Sequence, residues 1–198
     1  ISLGIGQGYN NFTMLQLANA TATLADGGTH HKPHLIKGHQ DPKTGAFVAE
    51  PEPASEPMGY RPENVATVLR AMVGVTQGGT SRAVFVGAPY LSGGKTGTAQ
   101  AVSIGANSKY NAAKLSEYQR DHSLYIAFAP ADKPRIAVAA IVENAGFGAV
   151  AAAPIVRRVM DYWIAGLVPS AEDMKAVQRG QATTPIGAPR PVSELPSP

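Results

Sequence analysis

Residues 92–100 read SGGKTGTAQ, and three signatures overlap there. Gly94-Lys95-Thr96 matches the end of a phosphate-binding loop, Ser92 to Lys95 spells Ser-x-x-Lys, and Lys95-Thr96-Gly97 is a Lys-Thr-Gly triplet. The phosphate loop requires a glycine five residues before its Gly-Lys pair, and Pro89 stands at that position. It also requires a helix directly after the lysine, whereas TGTAQAVSI continues in strand-compatible residues. Ser-x-x-Lys chemistry needs serine and lysine one helical turn apart. On a strand, residues three apart face opposite ways and lie roughly 10 Å from each other, which sets Ser92 aside as a nucleophile.

The Lys-Thr-Gly reading suits a strand. Alternation puts Thr96 and Thr98 on one face and Lys95 and Gly97 on the other. Hydroxyls and a cation on one short strand can hold a carboxylate through charge-assisted hydrogen bonds, and Gly97 permits close approach by another group. An ordinary glycine-containing strand fits the same residues equally well, so the flanking sequence has to decide.

Working outward, the strand is expected from about Tyr90 to Ile104, followed by a polar segment, GANSKYNAAKLSEYQRD. Two apolar runs, HSLYIAFAP and RIAVAAIVEN, then flank the turn ADKP as an antiparallel hairpin. The last helix is read as APIVRRVMDYWIAGL, with Ile155, Val159, Met160, Tyr162, Trp163 and Leu167 apolar. Tyr162 and Trp163 are expected in the core, and Arg157 and Arg158, like Arg61 and Arg70, on solvated helix faces. Upstream, Thr13 and Gln16 have capping-box spacing at the head of a helix that Gly27-Gly28 ends. A hairpin follows around DPKTG, then a stiff connector, PEPASEP, and a helix in which Pro62 fits the first turn. The order is helix, hairpin, helix, then a three-stranded antiparallel meander closed by a helix, an α+β pattern rather than a parallel nucleotide-binding sheet.

The 198 residues suffice for one domain with a sizeable core. The net charge of +3 is mild, and without a dense Lys/Arg run nucleic-acid binding is disfavoured. There is no cysteine, which removes disulfides, thiolate nucleophiles and cysteine metal sites. The chain opens ISLGIGQG without Met and reads as part of a longer polypeptide. Residues 1–168 form the expected domain portion. Residues 169–198, ending TTPIGAPRPVSELPSP, lack apolar periodicity and are expected to be a disordered, Pro-rich tail.

With GGKTGTAQ are DHSLYIAFAP, IAVAAIVEN and AAPIVRRVMDYW after it, and GIGQGYNNFTMLQLANA and GGTHHKPHLI before it. Together these resemble the transpeptidase domain of class B penicillin-binding proteins, from about Ile1 to Leu167. The segment KYNAAKLSEYQRDH is most similar to the elongation-type penicillin-binding protein 2 branch. The resemblance implies the C-terminal part of a penicillin-binding/serine β-lactamase-like fold. It also implies a peptidoglycan D,D-transpeptidase of cell-wall elongation and rod shape, cross-linking stem peptides through an acyl-serine and inhibited by β-lactams.

Carried onto these residues, Lys95 would contribute positive charge and hydrogen bonding to the family's Ser-x-Asn region, which is expected upstream of GIGQG. Thr96, Gly97 and Thr98 would bind the carboxylate of substrate or β-lactam, and the Thr98 backbone N–H would be an oxyanion-hole donor. The nucleophilic serine belongs upstream and is not in this chain, so the chain by itself is expected to be inactive. No cofactor or metal is expected. The implied partners are D-Ala-D-Ala stem peptides, β-lactams, elongation-machinery membrane proteins including a glycosyltransferase, and the N-terminal remainder of the same domain. The implied location is the periplasm, anchored to the inner membrane by a segment outside this chain. A D,D-carboxypeptidase or β-lactamase of the same superfamily, and an inactive scaffold or sensor, are the competing readings.

Other candidates have plainer explanations. His30, His31, His34 and His39 form a surface cluster without a complete ligand set. His122 is expected to be a hydrogen-bonded structural residue. Glu143-Asn144 with AGFGAVAAAP fits a loop near the cleft or a turn into the last helix. Tyr9-Asn10-Asn11 spells Tyr-x-Asn by chance, with Tyr9 packing or lining a rim.

Overall fold

The computed structural model describes residues 11–101, 115–181 and 183–194. Helix α1 (Met14–Ala25) begins as its sequence dictates: the Gln16 N–H donates to Thr13 Oγ1 and the Thr13 N–H to Gln16 Oε1, at 3.2 and 2.9 Å. Gly27 and Gly28 follow with φ of 67° and 97°, the left-handed turn that ends the helix. Two short antiparallel pairs come next. Strand β1 (Thr29–His30) pairs with β4 (Glu56–Pro57), which lies inside the expected connector. Strand β2 (Gly38–Gln40) pairs with β3 (Phe47–Ala49) across the expected turn. There the Asp41 carboxylate accepts from the Lys43 and Thr44 backbone N–H groups, both at 2.8 Å, and these bonds, Thr44's first, hold its carboxyl below the usual range.

Helix α2 (Pro62–Gln77) has Pro62 at its first position and buries Val65, Met72 and Thr76. A single-turn helix α3 (Arg82–Phe85) occupies the short apolar segment after Gly78-Gly79. The central sheet then has the order β5 (Gly93–Ala99), β6 (His122–Ala129), β7 (Ile136–Val142), antiparallel throughout. The strand is shorter than the expected Tyr90–Ile104, and residues 102–104 lie outside the described residues.

The two faces of this sheet are distinct. Tyr125, Ala127 and Ala129 of β6 pack against α3 and against helix α4 (Ala152–Ala165), whose Ala152, Ala153, Val156 and Met160 complete the core. Leu124 and Ile126, alternating with these, face the side where α1 lies across β6 and β7.

Helix α4 corrects two expectations. Tyr162 and Trp163 are 55% and 58% exposed, with Ile155 and Val159 also open, whereas Arg157 is only 3% exposed. Around Tyr125 the facing sheet surface is mostly small, with Ala127, Ala129, Val138 and Ala140, so it accepts the Ala/Val/Met stripe and leaves the bulkier stripe outside. Arg157 is carried into the core because it lies on that inner stripe. Its Nε donates to both Asp161 carboxylate oxygens at 2.7 and 2.8 Å, and its Nη1 to the carbonyls of Val84 and Val86. The Tyr90 hydroxyl donates to Asp161 at 2.8 Å, and burial, then the Asp161 charge, pushes the Tyr90 phenol up.

The expected disordered tail is also corrected. Strand β8 (Leu167–Val168) pairs with β9 (Arg190–Pro191), and helix α5 (Ala171–Gln178) lies between them. Ser170 caps α5 by accepting from the Asp173 N–H, and buried Asp173 receives Arg158 through Nε and Nη2 at 3.0 and 2.5 Å. Arg158 is therefore an anchor for this segment and not the solvated charge expected. The apolar content is low, as read, but an ion pair and a cap supply the order instead.

Candidate active site

Strand β5 is the edge of the three-stranded sheet, and its outer side pairs with no strand among the described residues. Lys95 is exposed, while Thr96, Gly97 and Thr98 are half-buried. These four residues border an open cavity of about 930 Å³ whose opposite wall is the start of α1, including Phe12, Thr13 and Leu17. Leu124, Ile126 and Ile141 form its apolar floor. The Lys95 ammonium folds back to donate to the Thr96 carbonyl at 2.6 Å. The strand thus offers an edge position in the described sheet, a cation on the face that meets the cavity, and two hydroxyl side chains alternating with it on the other face. An extended peptide ending in a carboxylate can add to such an edge by strand pairing. Ser92 is buried at 2% exposure, and its carbonyl accepts the Thr76 hydroxyl at 2.6 Å, so it is a packing residue.

Alternation sets Lys95 and Gly97 on the α1 side and Thr96 on the side of α3 and α4. On that second side the loop after α2 reaches the strand. Thr80 Oγ1 lies 3.0 Å from Thr96 Oγ1, and Ser81 Oγ lies 2.8 Å from the Tyr125 hydroxyl. Thr96 and Tyr125 are direct register partners, so adjacent loop residues contact adjacent strands. Sequence reasoning passed over Thr80 and Ser81; the available signal was two hydroxyl residues directly after the Gly-Gly break that stops α2.

Two glycines let neighbouring groups sit close to the strand. A Cβ on Gly94 would collide with the Tyr125 hydroxyl. A Cβ on Gly148, in the loop before α4, would collide with the Leu124 carbonyl and come within 2.7 Å of the Gly97 carbonyl. The AGFG segment is therefore both the turn into α4 and a brace on the back of β5. Gly148→Ala is expected to destabilise the domain by about 1–3 kcal/mol, as overpacking does, and to displace Gly97. Urea unfolding and amide chemical shifts of Gly97 would check this.

Burial pushes the Tyr125 phenol up to about 12, against the opposing hydrogen bond from Ser81. An unfolded tyrosine loses its proton near 10, so between roughly pH 10 and 12 the unfolded state binds fewer protons than the fold. Stability is then fully present below pH 10 and is lost as pH rises through the folded value. Tyr90 acts in the same sense. The urea midpoint should fall above about pH 10, and Tyr125→Phe should make that fall shallower.

The histidines bind separate partners: His30 meets Asn19 at 2.9 Å, His31 meets Asp26 at 2.6 Å, and His39 meets Glu50 at 3.2 Å. Among the described residues no three His, Cys, Asp or Glu side chains converge. His122 Nδ1 accepts the Asn144 N–H at 3.0 Å, the structural role expected of it, which places the ring proton on Nε2. Tyr9 and Asn10 lie outside the described residues.

The edge strand carrying Lys-Thr-Gly, flanked by an N-terminal and a C-terminal helix on opposite faces, defines a class. The chain belongs to the penicillin binding protein transpeptidase domain family, which it matches over residues 1–161. It is 41% identical over 180 residues to the peptidoglycan D,D-transpeptidase MrdA of Haemophilus influenzae, covering 87% of this chain and 27% of that one. Pseudomonas aeruginosa PBP2, solved in complex with WCK 5153, superposes with a TM-score of 0.61 at 39% identity, over 82% of this chain and 33% of that chain. A structure described as the structural coordination of polymerization and crosslinking by a peptidoglycan synthase complex gives a TM-score of 0.63 at 30% identity, over 82% and 25% of the chains. The chain thus spans about a quarter of the length of its curated relative.

Proposed function

We propose that the polypeptide carrying this chain is a peptidoglycan D,D-transpeptidase of the cell-elongation type. The observation that carries the reading is β5, the edge strand of the described sheet, which bears Lys95, Thr96 and Thr98 in sequence and borders the large cavity. In this reading the D-Ala-D-Ala end of a stem peptide lies along β5 with its carboxylate on Thr96 and Thr98. A serine from the rest of the polypeptide attacks the penultimate carbonyl. The negative charge that develops on the carbonyl oxygen is met by the Thr98 N–H, and the terminal D-Ala leaves with a proton. An amine of a neighbouring stem then takes the acyl group and regenerates the serine. Lys95 supplies positive charge at the junction of strand and nucleophile, lowering the cost of the anionic intermediate. A β-lactam carries a carboxylate in the same relation to its reactive carbonyl, and would occupy the strand in the same way.

The likeness to MrdA supports the elongation assignment, and the likeness to a peptidoglycan synthase complex supports a polymerising glycosyltransferase as partner. Peptidoglycan lies outside the inner membrane, so the domain works in the periplasm, tethered by a segment beyond these residues. Among the described residues no helix is long and apolar enough to cross a membrane.

The test is incubation of the intact protein with fluorescent penicillin and with pentapeptide-bearing glycan strands. Covalent labelling with dimeric muropeptides supports the transpeptidase. Labelling with release of D-Ala but no dimers would make it a carboxypeptidase, and absence of labelling would make it a scaffold.

A further inference from the structure

We infer that Thr80 is a positioning residue for the substrate carboxylate: its hydroxyl donates to Thr96 Oγ1 and so aims the Thr96 proton at the ligand. The inference rests on the transpeptidase reading of β5. The two oxygens are 3.0 Å apart, and geometry alone allows either to donate. A threonine hydroxyl has one proton and two lone pairs. If Thr96 gave its proton to Thr80, it could offer a carboxylate only lone pairs, which repel. A Thr96 that binds a carboxylate must spend its proton there, so the proton between the two threonines has to come from Thr80. That order also polarises Thr96 toward the anion, as chained hydrogen bonds do.

The loop is held well enough to perform this. The N–H groups of Gly78 and Gly79 both donate to the Gly74 carbonyl at 3.0 Å, and the Ser81 N–H donates to that of Val75 at 3.2 Å. A Cβ on Gly79 would sit 2.8 Å from Val75 Cα, so the loop lies tight on the end of α2. From that anchored end, Thr76 bonds the Ser92 carbonyl ahead of β5 and Ser81 bonds Tyr125 on β6, with Thr80 placed between them on Thr96. Thr80 itself is exposed, so changing it disturbs little packing.

The experiment measures penicillin acylation of the full-length protein by stopped flow, separating the affinity of the initial complex from the acylation rate constant. Thr80→Val keeps the shape and removes the proton. It should weaken the initial affinity about five- to tenfold, the scale of one hydrogen bond, with a smaller change in the rate constant. Thr80→Ser should restore wild-type behaviour. The penicillin methyl ester, which lacks the charge, should bind wild type and Thr80→Val equally. Equal loss for acid and ester, or an unchanged affinity for the acid, overturns the inference while wild-type labelling leaves the transpeptidase reading intact. Absence of wild-type labelling would remove that reading itself, and the inference with it.

Discussion

Lys95→Ala in the intact protein should, on the proposed transpeptidase reading, slow acylation by penicillin by about 10²–10³-fold, the usual cost of removing one electrostatic contact that favours a developing negative charge. The side chain is exposed beside the cavity, and its ammonium lies 2.6 Å from the backbone carbonyl of Thr96. The substitution therefore removes a charge from the rim of the site and a tether on the edge of β5, while burying nothing and opening no void. Thermal stability should stay within the range of surface substitutions, about 0.5 kcal/mol. Acylation kinetics with a parallel melt distinguish this from general unfolding. Lys95→Arg, which keeps the charge but not the compact ammonium, should fall between the two.

The second large effect concerns the fold. Asp161→Ala should destabilise the domain by about 3–5 kcal/mol, because it leaves Arg157 charged and unpaired in the core. Asp161 is the acceptor for both Arg157 and Tyr90, and Arg157 in turn holds the carbonyls of Val84 and Val86 at the end of α3. Arg157 also lies over the Phe85 ring, 5.9 Å from its centroid. This network ties α4 to the segment that leads into β5, so its loss should loosen the approach to β5 as well as the core. Replacing both partners, as in Arg157→Met with Asp161→Leu, should recover much of the loss, since no charge is then stranded. Urea unfolding of the single and double variants measures both quantities.

What could be read from the chain beforehand followed local rules. The Thr13–Gln16 box, Pro62 at the first turn of α2, the DPKTG hairpin and the strand character of GGKTGTA each depend on neighbours a few residues away, and each stands in the structure. The alternation that separates Lys95 from Thr96 was legible for the same reason.

The parts that were not legible depend on what lies across a tertiary contact. Two apolar stripes compete on α4, and only the small-residue surface of β6 and β7 decides that Val156 and Met160 go in while Trp163 stays out. Arg157 and Arg158 read as solvated because their acidic partners, Asp161 and Asp173, announce nothing about burial in sequence. The segment after Pro169 did carry a usable signal: Ser170 followed by Glu172 and Asp173 is a helix start, hidden by the proline-rich stretch beyond it. Thr80 was invisible because its partner, Thr96, is brought near only by the packing of α2 on β5.

The central claim is that β5 holds the substrate carboxylate and supplies the oxyanion donor. A crystal structure of the intact domain acylated by penicillin tests it most directly. The expected result is a ligand carboxylate within hydrogen-bond distance of the Thr96 and Thr98 hydroxyls, and an acyl carbonyl oxygen about 3 Å from the Thr98 backbone N–H. An acyl group whose carboxylate and carbonyl oxygen both point away from β5 would contradict it.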